Sequence, residues 1–119
     1  MPRTTVACLF LMALLALGGT ASAATFAAIS YNQETGAYGY SKGYASRDEA
    51  EERAAQECGP GCETVMWGRD SCITLATSSS HAYGTGRDSD MESAGQMAMN
   101  ICSGYADDCS IVAEACSDQ

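Results

Sequence analysis

One helical segment is written twice in this chain, and the echo narrows the folds open to it. Residues 46–58, SRDEAEERAAQEC, open with the pattern S-x-x-E in Ser46 and Glu49 and end in a cysteine. Residues 89–102, SDMESAGQMAMNIC, open the same way with Ser89 and Glu92 and also end in a cysteine. In such a capping box each side chain satisfies an orphan backbone N–H of the first helical turn. The flanking residues repeat as well. Tyr38 and Tyr83, Cys62 and Cys109, and Cys72 and Cys116 are separated by 45, 47 and 44 residues. A near-constant offset is the mark of a duplicated supersecondary unit.

Each copy reads β-β-α-β. In the first, residues 24–31 (ATFAAISY) and 37–41 (AYGYS) are strands joined by a polar loop closed by Gly36. That spacing predicts a hairpin. Tyr38 and Tyr40 then share one face by alternation. The helix sets Ala50, Ala54, Ala55 and Cys58 on one side, and alanines permit close approach to a sheet. Glu49 and Arg53 have the favourable i,i+4 order. Gly59-Pro60-Gly61 ends the helix. Residues 62–69 form the next strand, with Val65 and Trp67 expected on one face. The second copy restarts at residues 72–77 (CITLAT), with Ser89 capping its helix. Met91, Ala94, Met97, Ala98 and Ile101 are its apolar stripe, and residues 109–116 are its last strand.

The residues before the first copy carry a different signal. Met1-Pro2-Arg3 is a short basic start, residues 6–17 are apolar, and Ala21-Ser22-Ala23 has the A-x-A form of a cleavage site. Together they predict a secretory signal peptide over 1–23. The apolar run is shorter than the roughly 20 residues that a membrane-crossing helix needs. Residues 24–119 are then one α+β domain, with repeat one at 24–71 and repeat two at 72–119. The expected architecture is an antiparallel sheet with two helices packed on it. The expected location is periplasmic or extracellular, with no membrane span after cleavage.

A domain of this size is only marginally stabilised by its core. Cysteine supplies the staples. Of seven cysteines, Cys8 leaves with the signal, and Cys58, Cys62, Cys72, Cys102, Cys109 and Cys116 remain. An even count in a small exported chain predicts a disulfide framework. Six cysteines allow 15 connectivities. The repeat favours one: Cys58–Cys62 and Cys102–Cys109 across equivalent helix-to-strand turns, and Cys72–Cys116 joining equivalent ends of the copies. The spacings C-x3-C and C-x6-C match zinc sites poorly, and C-x-x-C is absent.

The chain holds 15 acidic and 6 basic residues. Without Arg3 the balance is 5 − 15 = −10. This disfavours nucleic acid, whose phosphates need Lys and Arg. It suits a basic exported protein, through long-range steering, and a cell-wall component is the other partner class.

The run AYGYSKGYASRDEAEERAAQEC followed by GCETVMWGRDSC resembles a family of small bacterial exported proteins, the domain of unknown function 4189. That pattern has Y-G-x-S near the second strand, an Ala-rich helix ending in Cys, a Gly-rich Cys loop, then V-x-W and a further Cys. The resemblance covers nearly all of residues 24–119 and implies no reaction. In the second copy Val112-Ala113 stands at the V-x-W position without a tryptophan.

The residues themselves offer few catalytic groups. His81 is the single histidine. It follows Ser78-Ser79-Ser80 but without a G-x-S-x-G elbow, so a solvated loop histidine is the better reading and a small hydrolase the weaker one. Asp88-x-Asp90-x-Glu92 alternates oxygens as a calcium loop does but lacks the EF-hand glycine and distal glutamate. Acids at a helix N-terminus answer to its dipole. Asp107 and Asp108 read as solvated. No catalytic residue, metal ligand or cofactor is assigned. The candidate binding residues are Tyr38, Tyr40, Tyr44 and Trp67, which either line an exposed aromatic patch or fill the core. The expected function is a non-catalytic binding or interaction module. The alternative is an inhibitor of, or immunity protein against, a basic wall-degrading enzyme.

Overall fold

A computed structural model describes residues 23–118. The signal-peptide assignment falls almost wholly outside these residues. The elements run β1 (Phe26–Tyr31), β2 (Tyr38–Tyr44), α1 (Arg47–Cys58), β3 (Glu63–Arg69), β4 (Cys72–Thr77), β5 (Tyr83–Asp88), α2 (Met91–Ser103) and β6 (Ser110–Cys116). The α+β class and the tandem ββαβ order are therefore present. The strands divide between two three-stranded antiparallel sheets, ordered β2-β1-β3 and β5-β4-β6. Each copy closes its own sheet around its own first strand.

The two sheets lie face to face with a helix on each outer side, giving four layers. The apolar runs of the central strands are the cause, since β1 and β4 are buried on both faces. Ala27, Ile29 and Tyr31 point inward and meet Ile73, Leu75, Ala113 and Ala115 between the sheets. Ala28 points outward to Ala50 and Ala54 of α1. Ala76 points outward to Ala98 and Cys102 of α2. Tyr31 and Tyr83 lie 5.1 Å apart between their rings, and the Tyr31 hydroxyl donates to the His81 carbonyl at 3.0 Å.

The helices sit close to their sheets because glycine stands beneath them. A Cβ on Gly39 would lie 2.4 Å from Cys58 N and 2.5 Å from Ala54 O. On Gly84 it would lie 2.5 Å from Cys102 N and 2.2 Å from Ala98 O. The same glycine thus meets the same helical turn in both copies, with a helix offset of 44. Close seating also selects the buried stripe of α2, which consists of Ala94, Gly95, Ala98 and Cys102. Met97 and Ile101, expected on that stripe, are 44% and 48% exposed. Small residues fit against a glycine-floored sheet, and the larger ones turn outward.

Helix capping differs between the copies. Ser46 caps α1, its hydroxyl accepting from Glu49 N at 3.2 Å. The cap of α2 is Asp90 rather than Ser89, its carboxylate accepting from both the N–H and hydroxyl of Ser93 at 3.0 Å. A carboxylate here also complements the helix dipole, which a serine does not. On α1 the ion pairs are Arg47–Glu51 and Arg53–Glu57, so Arg53 turns toward the C-terminus instead of to Glu49.

A bulge overturns one expected face. Ile29 pairs with Met66 and Ser30 with Thr64, leaving Val65 unpaired. Val65 packs between the sheets while Trp67 packs under α1, so the two lie on opposite faces. An extra residue reverses alternation beyond it. The register shift recurs between Leu75 and Ala76, where Val112 is passed over.

Three disulfides join Cys58 to Cys62, Cys72 to Cys116 and Cys102 to Cys109. The first and third span the helix-to-strand turns. The second has a simpler basis than repeat symmetry: Cys72 and Cys116 are direct partners on neighbouring strands of one sheet.

Candidate functional site

Tyr38, Tyr40 and Tyr44 line one groove along the outer edge of β2. This strand pairs only with β1, so its other edge is not covered by a strand of the sheet. Gly39 and Ser41 turn toward α1, and alternation sends Tyr38 and Tyr40 the other way. They are 42% and 45% exposed. Regular alternation places Tyr44 with them, but the register shifts opposite Ala28 and Gly43 takes φ 77°. The left-handed residue lets the strand turn, and Tyr44 packs against the cluster of Ala28, Ala50 and Ala54 beneath α1. A groove of about 400 Å³ follows, lined by these three tyrosines with Lys42, Arg53 and Glu57. Its chemistry is two partly exposed aromatic faces beside two cations and one carboxylate.

Trp67 lies elsewhere, on β3 at the far edge of the same sheet. Its ring stacks near Phe26, with centroids 6.4 Å apart. The Arg47 guanidinium sits 4.2 Å from the ring centroid and that of Arg87 5.2 Å. Arg87 also donates to the Trp67 carbonyl at 3.0 Å. Trp67 is thus half-buried between α1 and two cations. The four aromatics do not form one patch: three line the β2 groove and the fourth packs the opposite flank of the helix.

The remaining polar candidates have structural partners. The His81 ring lies over Gly36, where an added Cβ would stand 2.9 Å from it, and the His81 backbone takes φ 66°. Ser78 Oγ bonds Ser80 Oγ at 2.9 Å and accepts from Ala82 N at 3.0 Å. These contacts close the β4–β5 turn. Asp88 Oδ1 accepts from Asp90 N at 3.0 Å, and Asp90 caps α2. Asp108 Oδ2 accepts from Ser79 N at 3.2 Å, and hydrogen bonding from Ser79 holds its carboxyl below the usual range. Among the described residues no group of three or more His, Cys, Asp or Glu is placed to hold a metal ion. No helix among them is long and apolar enough to cross a membrane.

A second groove went unseen in the sequence. It lies between α2 and β6, has about 560 Å³, and is lined by Met91, Gly95, Met99, Ile111, Glu92 and Glu114 together with Gln96 and Asn100. The signal was present in the tryptophan missing from the second copy, although its consequence needs the packing of α2 to be known.

Residues 26–116, from the first residue of β1 to the last of β6, match the family described as Domain of unknown function (DUF4189). The chain belongs to that family. The match covers all eight elements, so both repeats and all three disulfides lie within the DUF4189 domain. No curated protein and no solved structure matches the chain.

Proposed function

We propose that this DUF4189 protein is an exported, non-catalytic binding module whose β2 groove takes an extended cell-wall component. The observation that carries this is the pair Tyr38 and Tyr40, held partly exposed on an edge strand beside Lys42 and Arg53. Aromatic faces stack on sugar rings through their apolar surface, and the two cations match carboxylates of a wall polymer. Three disulfides fit a chain that works in an oxidising compartment. The test is binding of soluble peptidoglycan fragments to the oxidised protein of residues 24–119. Wild-type protein binds, and Tyr38→Ala/Tyr40→Ala binds at least about tenfold more weakly, the size expected when stacked aromatics are removed from a binding surface. Equal binding by the double variant ends this reading.

A second reading rests on the acidic charge, −9 for the whole chain. Glu49, Glu52 and Glu57 are exposed on α1, and an acidic face steers toward a basic wall-degrading enzyme. That reading expects inhibition of such an enzyme at low salt that fades near physiological ionic strength.

A further inference from the structure

We propose that the groove between α2 and β6 is a docking site for a basic polypeptide segment that presents an aromatic ring next to an arginine. The two copies differ on this flank, independently of the β2 groove. Ala28 pairs with Trp67 in the first sheet, and its counterpart Thr74 pairs with Glu114 in the second. Arg47 opens α1 as Met91 opens α2. The helix offset of 44 then sets Glu51 opposite Gly95 and Ala55 opposite Met99. In repeat one this flank is filled by the Trp67 ring, covered by the Arg47 guanidinium at 4.2 Å, which is itself paired with Glu51 at 2.7 Å. In repeat two the ring, the cation and the helical carboxylate are all replaced. What remains is a trough with an apolar floor of Met91, Gly95, Met99 and Ile111.

Charge states what fits. Glu92 and Glu114 stand at the trough, and none of its lining residues is basic. An aromatic ring covers the floor, and a guanidinium beside it finds the carboxylates, so the guest restores the ring-and-cation pair that repeat one builds from its own chain. Methionine floors adapt to such rings through flexible, polarizable side chains. Arginine stacks on an aromatic face while keeping its fork free for a carboxylate. A second copy of this chain does not supply the pair from Trp67, which is already packed between α1 and two arginines.

The experiment is a two-dimensional amide NMR titration of the oxidised protein with N-acetyl-Trp-Arg-amide, and with N-acetyl-Trp-Glu-amide as the opposite-charge control. The expected result is saturable shifts at Gly95, Met99 and Ile111, with the arginine peptide binding about tenfold more tightly, as for a close charge pair across an interface. Glu114→Trp refills the trough and abolishes these shifts. Glu114→Gln keeps the shape and removes the preference for arginine. Three results would overturn the proposal: no saturation, equal binding of both peptides, or shifts confined to the β2 groove. Concentration-dependent shifts at the same amides without peptide would also overturn it, because they would make the trough a self-association surface.

Discussion

Where repeat one sets Ser41 beneath α1, repeat two sets Gly86 beneath α2. Ser41 and Gly86 hold equivalent places, paired with Ala28 and Thr74. The Ser41 hydroxyl donates to the Ala50 carbonyl. A Cβ on Gly86 would stand 1.8 Å from the Ala94 carbonyl oxygen. One copy spans the gap with a hydrogen bond and a tryptophan, and the other removes the gap. The strand ends differ in the same manner. Phe26 faces Arg69 where Cys72 faces Cys116. The two halves share a backbone plan, including the bulge at Val65 and Val112, while each makes its helix contact differently. The closer helix leaves Met97 and Ile101 outside, and Glu114 in place of Trp67 leaves open the trough that the first copy fills.

Breaking the staples is the harshest test of this contrast. Cys72→Ala/Cys116→Ala opens a bridge with a separation of 44, and Cys58→Ala/Cys62→Ala one with a separation of 4. Chain-entropy arguments give losses of about 4 and about 2 kcal/mol. Denaturant unfolding of the two double variants should show the larger loss in repeat two. A reversal would mean that the long bridge does little in the unfolded chain.

Exchanging the helix floors comes next. Gly86→Ala forces α2 away from β5 and should cost about 3 kcal/mol, at the upper end for overpacking. Ser41→Ala keeps the volume but removes the bond to Ala50, for about 1 kcal/mol. Thermal melts of both variants measure the difference. If Ser41→Ala proves the worse, the two copies do not seat their helices in separate ways.

A smaller effect has the opposite sign. Ser30 is fully buried and its hydroxyl has no hydrogen-bond partner. The second copy has Ala76 at this place, since Ser30 faces Gly39 as Ala76 faces Gly84. Ser30→Ala should therefore stabilise the protein by about 1 kcal/mol, the cost of an unpaired buried hydroxyl. Urea midpoints of the wild type and variant decide it, and a loss of stability would point to a partner for that hydroxyl.

Alkaline pH gives the smallest expected difference. Burial, with Tyr83 nearby, raises the Tyr31 pKa above its ordinary 10.0. A raised pKa means that the folded state resists losing the proton. The stability linked to this group is intact below pH 10 and is lost as pH climbs toward the folded value. Thr77 occupies the matching place in the second copy and does not titrate in this range. Tyr31→Phe should flatten the fall in melting temperature above pH 10, and an unchanged profile would assign that fall to other groups.

Much of this architecture is local and so was legible in residue order. Capping serine, alanine stripe, Gly-Pro-Gly stop and strand lengths each act within a few residues, and the recurring S-x-x-E, tyrosine and cysteine positions gave away the ββαβ unit and its copy. The cysteine spacings went further, because turns of defined length bring Cys58 to Cys62 and Cys102 to Cys109. Other features depended on what lies across a layer. Alternation put Val65 beside Trp67 until a bulge reversed it, and helical period put Met97 and Ile101 inside until the glycine floor excluded them. The division into two sheets followed from central strands with two apolar faces, which one sheet bearing both helices would leave half uncovered. Sequence thus determined the units, the cap of the first helix and the staples, since these depend on neighbours along the chain. Tertiary structure alone decided which aromatics share a surface, because a side chain's exposure is set by whatever packs opposite it.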